Sequence, residues 1–285
     1  MSIAPVVLAL LALALLVLAI AVVAQVRRSR RLPPIGDRIG LPIVLVHGFF
    51  GFDRMVGFEY FRGITTHLEE LGYAVHVVRL PRLHGVPARA AALVAAIAKL
   101  ELARVDVIAH SMGGLDARYA IAKLKLPVRT LVTIGTPHRG TPLADLFVSG
   151  GLSVPRRVAR AIGFGIDALD WLSTAGAERF NADVRDVAGV RYACVIGKIP
   201  DGRVPLALKF SHGYIRRAAG VNDGLVPVRS QHWGEVFAEI DADHFAQIGW
   251  RNHFDALALY RSIVARFAEP VPAVAEPIRL EHVAG

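Results

Sequence analysis

An α/β architecture is what this sequence predicts: a mostly parallel sheet with helices on both faces and an inserted helical cap, preceded by one N-terminal transmembrane helix. Three observations predict it. From Leu41 onward, short apolar runs alternate with segments of helical period, as expected of buried strands joined by crossover helices. Residues 141–190 lose that alternation and carry glycines among helical patches, which marks an insertion. Ahead of both, no charged side chain occurs from Ile3 to Ala24.

The apolar N-terminus comes first in the chain. At about 1.5 Å per residue, Ile3 to Val26 would form roughly 36 Å of helix, enough to cross a hydrocarbon core of about 30 Å. A cleaved signal peptide is the competing reading, with a weak cleavage site at Val22-Val23-Ala24. The run is longer than a usual signal h-region and no lysine or arginine precedes it, so residues 1–26 are expected to be a retained anchor. Arg27, Arg28, Arg30 and Arg31 follow at once. Such a basic flank tends to stay cytoplasmic, which favours a cytoplasmic catalytic domain over a periplasmic or secreted one. Residues 27–40, with Pro33, Pro34 and Gly36, read as a linker.

The globular domain is expected over 41–268, followed by a proline-containing tail over 269–285. Ile43 to Val46 is a strand. Glu59 to Leu71 follows as a helix, with Phe61, Ile64, Leu68 and Leu71 on one face and Gly72 as its stop. Ala74 to Leu80 reads as strand, Pro87 to Leu100 as an alanine-rich helix, Val105 to Ala109 as strand, and a helix begins near Gly113. Val128 to Ile134, Arg191 to Ile196 and Val236 to Ile240 are further strands, and His253 to Phe267 closes the domain as a helix. There is no internal repeat.

Composition narrows the function class. A chain of 285 residues, 54% hydrophobic, can bury one sizeable core once the N-terminal stretch is set aside. Cys194 is the single cysteine, so no internal disulfide forms; within the apolar run Tyr192 to Ile196 it reads as a buried strand thiol rather than a nucleophile. The net charge of +9 is spread along the chain with no nucleic-acid motif to organise it, so nucleic acid is not an expected partner. Two readings of that excess stay open: a basic surface near anionic lipid, or an arginine-rich solvated surface.

Chemistry enters at Ala109-His110-Ser111-Met112-Gly113-Gly114, between a strand and a helix. A serine hydroxyl needs a base to become a nucleophile, and a tight strand-to-helix turn exposes it above the sheet: the nucleophile elbow of the α/β-hydrolase fold. The usual first small residue is glycine; here it is Ala109, the mildest departure. Acyl transfer also needs oxyanion donors, a base and an acid that orients the base. His47-Gly48-Phe49-Phe50-Gly51 follows the first strand, so the Phe49 and Met112 N–H groups are the candidate oxyanion donors, each worth on the order of 3 kcal/mol.

In this fold the triad runs serine, acid, histidine. Asn222-Asp223-Gly224 and Asp241-Ala242-Asp243-His244 supply that order, with Asp223 as acid and His244 as base. Asp241 and Asp243 are neighbouring substitutes for the acid, too close in sequence to His244 to approach its ring naturally. His47 is expected to make structural hydrogen bonds in its loop, and His84, His110, His138, His212, His232 and His253 to be structural or surface residues. The expected reaction is hydrolysis of carboxylic esters by a serine hydrolase.

Four separated motifs now agree: Pro42 to Gly51, Ala109 to Tyr119, Ile134-Gly135-Thr136-Pro137-His138-Arg139-Gly140, and Asn222 to Pro227. Together they resemble bacterial lipases of the Pseudomonas and Burkholderia type, within the α/β-hydrolase superfamily. The resemblance implies a triacylglycerol lipase or carboxylesterase with Ser111, Asp223 and His244 as triad, Phe49 and Met112 at the oxyanion hole, and a mobile cap over the site.

Two departures limit it. Such lipases commonly bind a structural calcium through two aspartates, one placed two residues after the catalytic histidine; here that place is Ala246, so no metal and no cofactor are expected. Secreted relatives carry cleavable signals, whereas this N-terminus reads as retained. Between Pro142 and Ser173 the cap is rich in Leu, Ile, Phe and Trp, which suits a lid over an acyl pocket and equally a helical subdomain packing its own core. The leading function is cleavage of lipid acyl esters near a membrane. Alternatives are a membrane-anchored deacylase of a specialised lipid or thioester, and a binding protein that has kept the fold without the chemistry.

Overall fold

A computed structural model of the protein describes residues 40–267 apart from 50–53, 56–57, 83, 149–165, 201 and 252, with the backbone alone at 54, 55, 58 and 166. The segments expected as anchor, linker and tail lie outside the described residues, save Gly40 at the end of the linker. Among the described residues no helix is long and apolar enough to cross a membrane.

The strands are β1 (Ile43–Val46), β2 (Arg54–Met55), β3 (Phe58–Glu59), β4 (Val75–Val78), β5 (Val105–His110), β6 (Val128–Ile134), β7 (Arg191–Gly197) and β8 (Glu235–Ile240). Six of them form one sheet in the order β4-β1-β5-β6-β7-β8, every neighbouring pair parallel, while β2 and β3 make a small antiparallel ribbon. The helices are α1 (Ile64–Glu70), α2 (Val86–Ala98), α3 (Gly113–Leu124), α4 (Pro142–Val148), α5 (Ile166–Leu172), α6 (Thr174–Asp183), α7 (Lys209–Ala219), α8 (Val228–Gln231) and α9 (Ala256–Phe267).

The period-two alternation of a strand sends its side chains to two separate cores. Ile43, Leu45 and Ile108 meet Ile64 and Leu68 of α1 and Tyr260, Ile263 and Val264 of α9 on one face. Val44, Val46, Val107 and Ala109 meet Leu93 and Ile97 of α2 and Ala117, Ala120 and Ile121 of α3 on the other. Both faces of the central strands are therefore apolar, which is why the strands read as unbroken hydrophobic runs.

Several boundaries differ from the sequence expectation, each for a local reason. The helix expected from Glu59 starts at Ile64: Gly63 takes a left-handed backbone (φ 71°), and 60–62 are held by tertiary bonds, Arg62 N–H to Ile248 O (3.0 Å) and Trp250 Nε1–H to Tyr60 O (2.9 Å). The last helix starts at Ala256 rather than His253, because the Asp255 carboxylate accepts the Ala258 N–H (2.9 Å) as an N-cap does. Sequence periodicity did not mark α7 or α8 at all. Between β6 and β7, where the cap is expected, lie α4, α5 and α6; Ala144, Ala168, Leu172 and Phe180 form a small core against Met112 and Leu115.

Two glycines in similar helical settings have opposite surroundings. A Cβ on Gly113 would come within 2.7 Å of Val46 O and 2.8 Å of His47 O, whereas on Gly213 its nearest neighbour is Arg217 Nη1 at 3.9 Å. Gly113→Ala is expected to lower stability by about 1–3 kcal/mol through overpacking against fixed carbonyls. Gly213→Ala is expected to raise it by about 0.5–1 kcal/mol. Urea denaturation midpoints moving in opposite directions would bear this out.

Candidate active site

Ser111 sits on the turn from β5 into α3 with φ of 56°, a left-handed conformation that few non-glycine residues adopt. The turn is tied on both sides: Ser111 N–H donates to Ile134 O (2.9 Å), and Thr136 Oγ1 donates to Ser111 O (2.8 Å). Gly114 leaves room for that threonine, whose Oγ1 would lie 2.3 Å from an added Cβ. The loop after β1 closes on the serine from the other side. A Cβ on Gly48 would meet Ser111 Cβ at 2.7 Å and Ser111 Oγ at 3.1 Å, so the loop presents bare backbone to the hydroxyl.

Phe49 packs against the small core that contains Met112 and Leu115, so the two residues expected to carry the oxyanion donors lie at the same end of the sheet as Ser111. No acceptor among the described residues takes the Met112 N–H.

Asp223 and His244 come together. His244 Nδ1 donates to Asp223 Oδ2 at 2.8 Å, and the two chains are joined again by His244 N–H to Asp223 O (2.9 Å). Both side chains are buried. Asp223 Oδ1 accepts the Leu225 and Val226 N–H groups (3.0 and 2.7 Å), and Oδ2 also accepts Gln247 Nε2–H (3.0 Å). Asp243, one of the substitutes considered, instead caps the turn after it, accepting Phe245 and Ala246 N–H (2.9 and 3.1 Å).

The histidine next to the serine is part of the same assembly. The His110 and His244 ring centroids are 4.5 Å apart. Burial, and secondarily the His244 charge, hold His110 well below the usual imidazole range, so it stays neutral. Its Nδ1 lies 2.7 Å from Tyr60 Oη, which also accepts the Gly48 N–H (3.1 Å). One hydroxyl therefore links the loop after β1 to the residue preceding Ser111.

Sequence reasoning missed three contributors. Gln247 is fully buried beside Asp223 in a space opened by two glycines: a Cβ on Gly135 would lie 2.3 Å from its Oε1, and one on Gly197 2.1 Å from its Nε2. Tyr60 was not singled out because its signal is tertiary. Arg89 lies in an alanine-rich helix and is nonetheless fully buried. It donates to Asp116 Oδ2 (2.8 Å), to Pro81 O (2.9 Å), and to the carbonyls of His47 (2.8 Å) and Gly48 (3.2 Å). An ion pair buried at 0% exposure thus fixes the carbonyls of the loop that faces Ser111.

The remaining histidines behave as structural or surface groups. His47 accepts Leu80 N–H at Nε2 (3.1 Å), and its Nδ1 lies 2.9 Å from Gly48 O. His138 is buried against Thr133 Oγ1 (3.0 Å) and stacked on Trp233, with burial, then Arg118, lowering its pKa. Arg118 lies 3.4 Å over the Trp233 ring, and burial brings its own pKa down to about 10. His212 is buried, while His84 and His253 are exposed and His232 is partly exposed. Cys194 is buried in β7 and burial raises its thiol pKa, so it is no nucleophile. Among the described residues no group of three or more His, Cys, Asp or Glu side chains could hold a metal ion.

The chain is similar to lipases in sequence and in fold. The family described as "Domain of unknown function (DUF7379)" matches residues 34–149. A triacylglycerol lipase of Vibrio cholerae is 36% identical over 237 residues, covering 70% of this chain and 76% of the relative. One of Pseudomonas fragi is 29% identical over 281 residues, 80% of this chain and 96% of the relative. Triacylglycerol lipase 2 of Saccharomyces cerevisiae is 30% identical over 222 residues, 70% of this chain and 65% of the relative. Among solved structures, the mature lipase BlEst2 of Bacillus licheniformis superposes with a TM-score of 0.67 at 22% identity, covering 82% of this chain and 96% of that one, which establishes the shared fold.

Burial pushes the Asp116 carboxyl up to about 6, against the lowering effect of Arg89, from an ordinary value of 3.8. Between about pH 4 and 6 the folded state therefore holds a proton that the unfolded chain releases, and this group's contribution to stability falls as pH rises through that window. Asp116→Asn is expected to remove that slope from the pH dependence of urea unfolding. At pH 7 it should also destabilise the protein by about 3–5 kcal/mol, because Arg89 is left buried without its partner.

Proposed function

This chain belongs to the triacylglycerol lipase family, a family of carboxylic ester hydrolases on the α/β-hydrolase fold, and from that premise we propose that it cleaves lipid acyl esters through a Ser111-His244-Asp223 triad and an acyl-enzyme. The observation that carries the reading is the buried Asp223–His244 pair at 2.8 Å on the side of the sheet where Ser111 is held in a left-handed turn. His244 Nε2 takes the Ser111 proton as Oγ attacks the acyl carbon, and returns it to the departing alcohol. Water then enters, gives its proton to the same nitrogen and releases the fatty acid. Asp223 keeps the imidazole in the tautomer that leaves Nε2 free to accept.

Charge developing on the acyl oxygen is met by the N–H groups of Phe49 and Met112. Arg89 and Tyr60 act on that step from behind, by fixing the carbonyls and N–H of the loop that carries Phe49. Neutral His110 matters for a different reason. When His244 is protonated, a second cation 4.5 Å away would oppose it, and burial prevents one from forming. No metal or cofactor is part of this scheme.

The apolar run Ile3–Ala24 with its following arginines is further proposed to anchor the enzyme with its domain in the cytoplasm. A reporter fused after Gly285 that works only outside the cytoplasm would overturn that orientation.

Fluorophosphonate labelling of the native chain is expected, with none in Ser111→Ala; equal labelling would remove Ser111 as nucleophile. Asp223→Asn should fold and lower kcat by about 10⁴-fold, because the amide favours the wrong histidine tautomer. Steady-state hydrolysis of a soluble ester measures it.

A further inference from the structure

We infer that the outer face of α7 is a docking surface for an anionic lipid bilayer. The 3₁₀ turn Leu206–Leu208 runs directly into α7, so Leu206, Phe210 and Tyr214 follow at four-residue spacing along one side. Leu206 is 82% exposed and Phe210 47%, and Val221 just beyond the helix is 48% exposed. Phe210 and Tyr214 stack on each other, their ring planes 16° apart. The opposite side is seated: Leu208, Ser211, His212 and Ile215 are buried.

Charge selects the occupant. Arg203, Lys209, Arg216 and Arg217 lie along this segment, and no Asp or Glu occurs from Gly202 to Asn222. Among the described residues no ion pair engages Arg203, Lys209 or Arg217. A second copy meeting this face symmetrically would set cation against cation. A nucleic acid would satisfy the cations and leave exposed Leu206 and Val221 in water. An anionic bilayer accepts both, with the apolar side chains in the acyl boundary and the basic stems reaching headgroup phosphates.

The surface is rigidly joined to the candidate active site. Asn222 Nδ2 donates to His212 O (3.3 Å) and Gly220 O (3.0 Å). A Cβ on Gly224 would lie 2.7 Å from Leu208 Cδ1, so the 3₁₀ turn that leads into α7 is packed directly on the Asp223 turn. A bilayer held here borders that turn and the neighbouring α4 of the cap. The inference is tested by binding rather than turnover, so it stands or falls apart from the triad.

The full chain is reconstituted in bilayers of phosphatidylcholine with or without phosphatidylglycerol, carrying bimane on Phe210→Cys, or on Leu206→Cys as a second probe; Cys194 is buried and serves as the unlabelled background. Emission is expected to shift to the blue, and to be quenched by brominated acyl chains, in the phosphatidylglycerol bilayers alone. Lys209→Glu with Arg217→Glu should weaken both signals by at least about tenfold, while hydrolysis of a soluble short-chain ester stays at the native level. Because the probe reports on α7, an N-terminal anchor does not produce the signal. Equal quenching in neutral bilayers, or indifference to the charge reversal, would overturn the inference. A blue shift that follows protein concentration without added anionic lipid would assign the surface to a second copy instead.

Discussion

A serine held in a left-handed backbone is the constraint around which the rest of this structure is arranged. The φ of 56° at Ser111 costs about 1–3 kcal/mol for a residue with a side chain, and it persists where the surroundings over-determine it. They do so from the two strands that flank β5. Ile134 at the end of β6 takes the serine N–H, Thr136 just beyond takes its carbonyl, and the end of β1 presses its own carbonyls against Gly113. Because these strands are parallel neighbours, their carboxyl ends lie together, and loops leaving them converge without further instruction.

The two buried aspartates near this turn show how environment separates roles. Asp223 is surrounded by four donors and no guanidinium: two backbone N–H groups, an imidazole and a carboxamide. Hydrogen bonding rather than an opposing full charge holds it, which leaves its orientation toward His244 fixed. Asp116 has a single arginine and an Oδ1 with no partner among the described residues. Its carboxyl is pushed up by burial, and its work is to anchor Arg89, whose remaining donors hold the His47 and Gly48 carbonyls. One carboxylate aligns an imidazole; the other, through an arginine, aligns a loop.

The sheet and the pairing of Asp223 with His244 were legible because their signals are local. Buried parallel strands are continuous apolar runs, and Ile43–Val46 and Val128–Ile134 emerge with the bounds that hydrophobicity gives them. Ser111 and His244 come after β5 and β8, and Asp223 lies between them in the chain. Gln247, Tyr60 and Arg89 were not legible, since each acts across more than 20 residues of sequence. Nothing near Arg89 in an alanine-rich helix signals that a guanidinium is buried there. Helix α7 escaped for another reason: Gly213 stands in its middle, and its buried side carries Ser211 and His212 beside Ile215, so no continuous apolar stripe marks it.

Ala109 brings these threads together. A glycine is usual two residues before the nucleophile because the elbow is crowded, and an added methyl group there adds to the crowding. Ala109 lies inside β5, in register with Val46 of β1 and Thr133 of β6, and its methyl group belongs to the core that α2 and α3 cover. The crowding falls instead on Gly113 and Gly114, where an added Cβ would strike Val46 O at 2.7 Å and Thr136 Oγ1 at 2.3 Å. Both of those positions are glycine. The small residue before the serine therefore sets how tightly helix and strand pack, whereas the small residues after it decide whether the turn can form, and alanine is compatible with the first task alone.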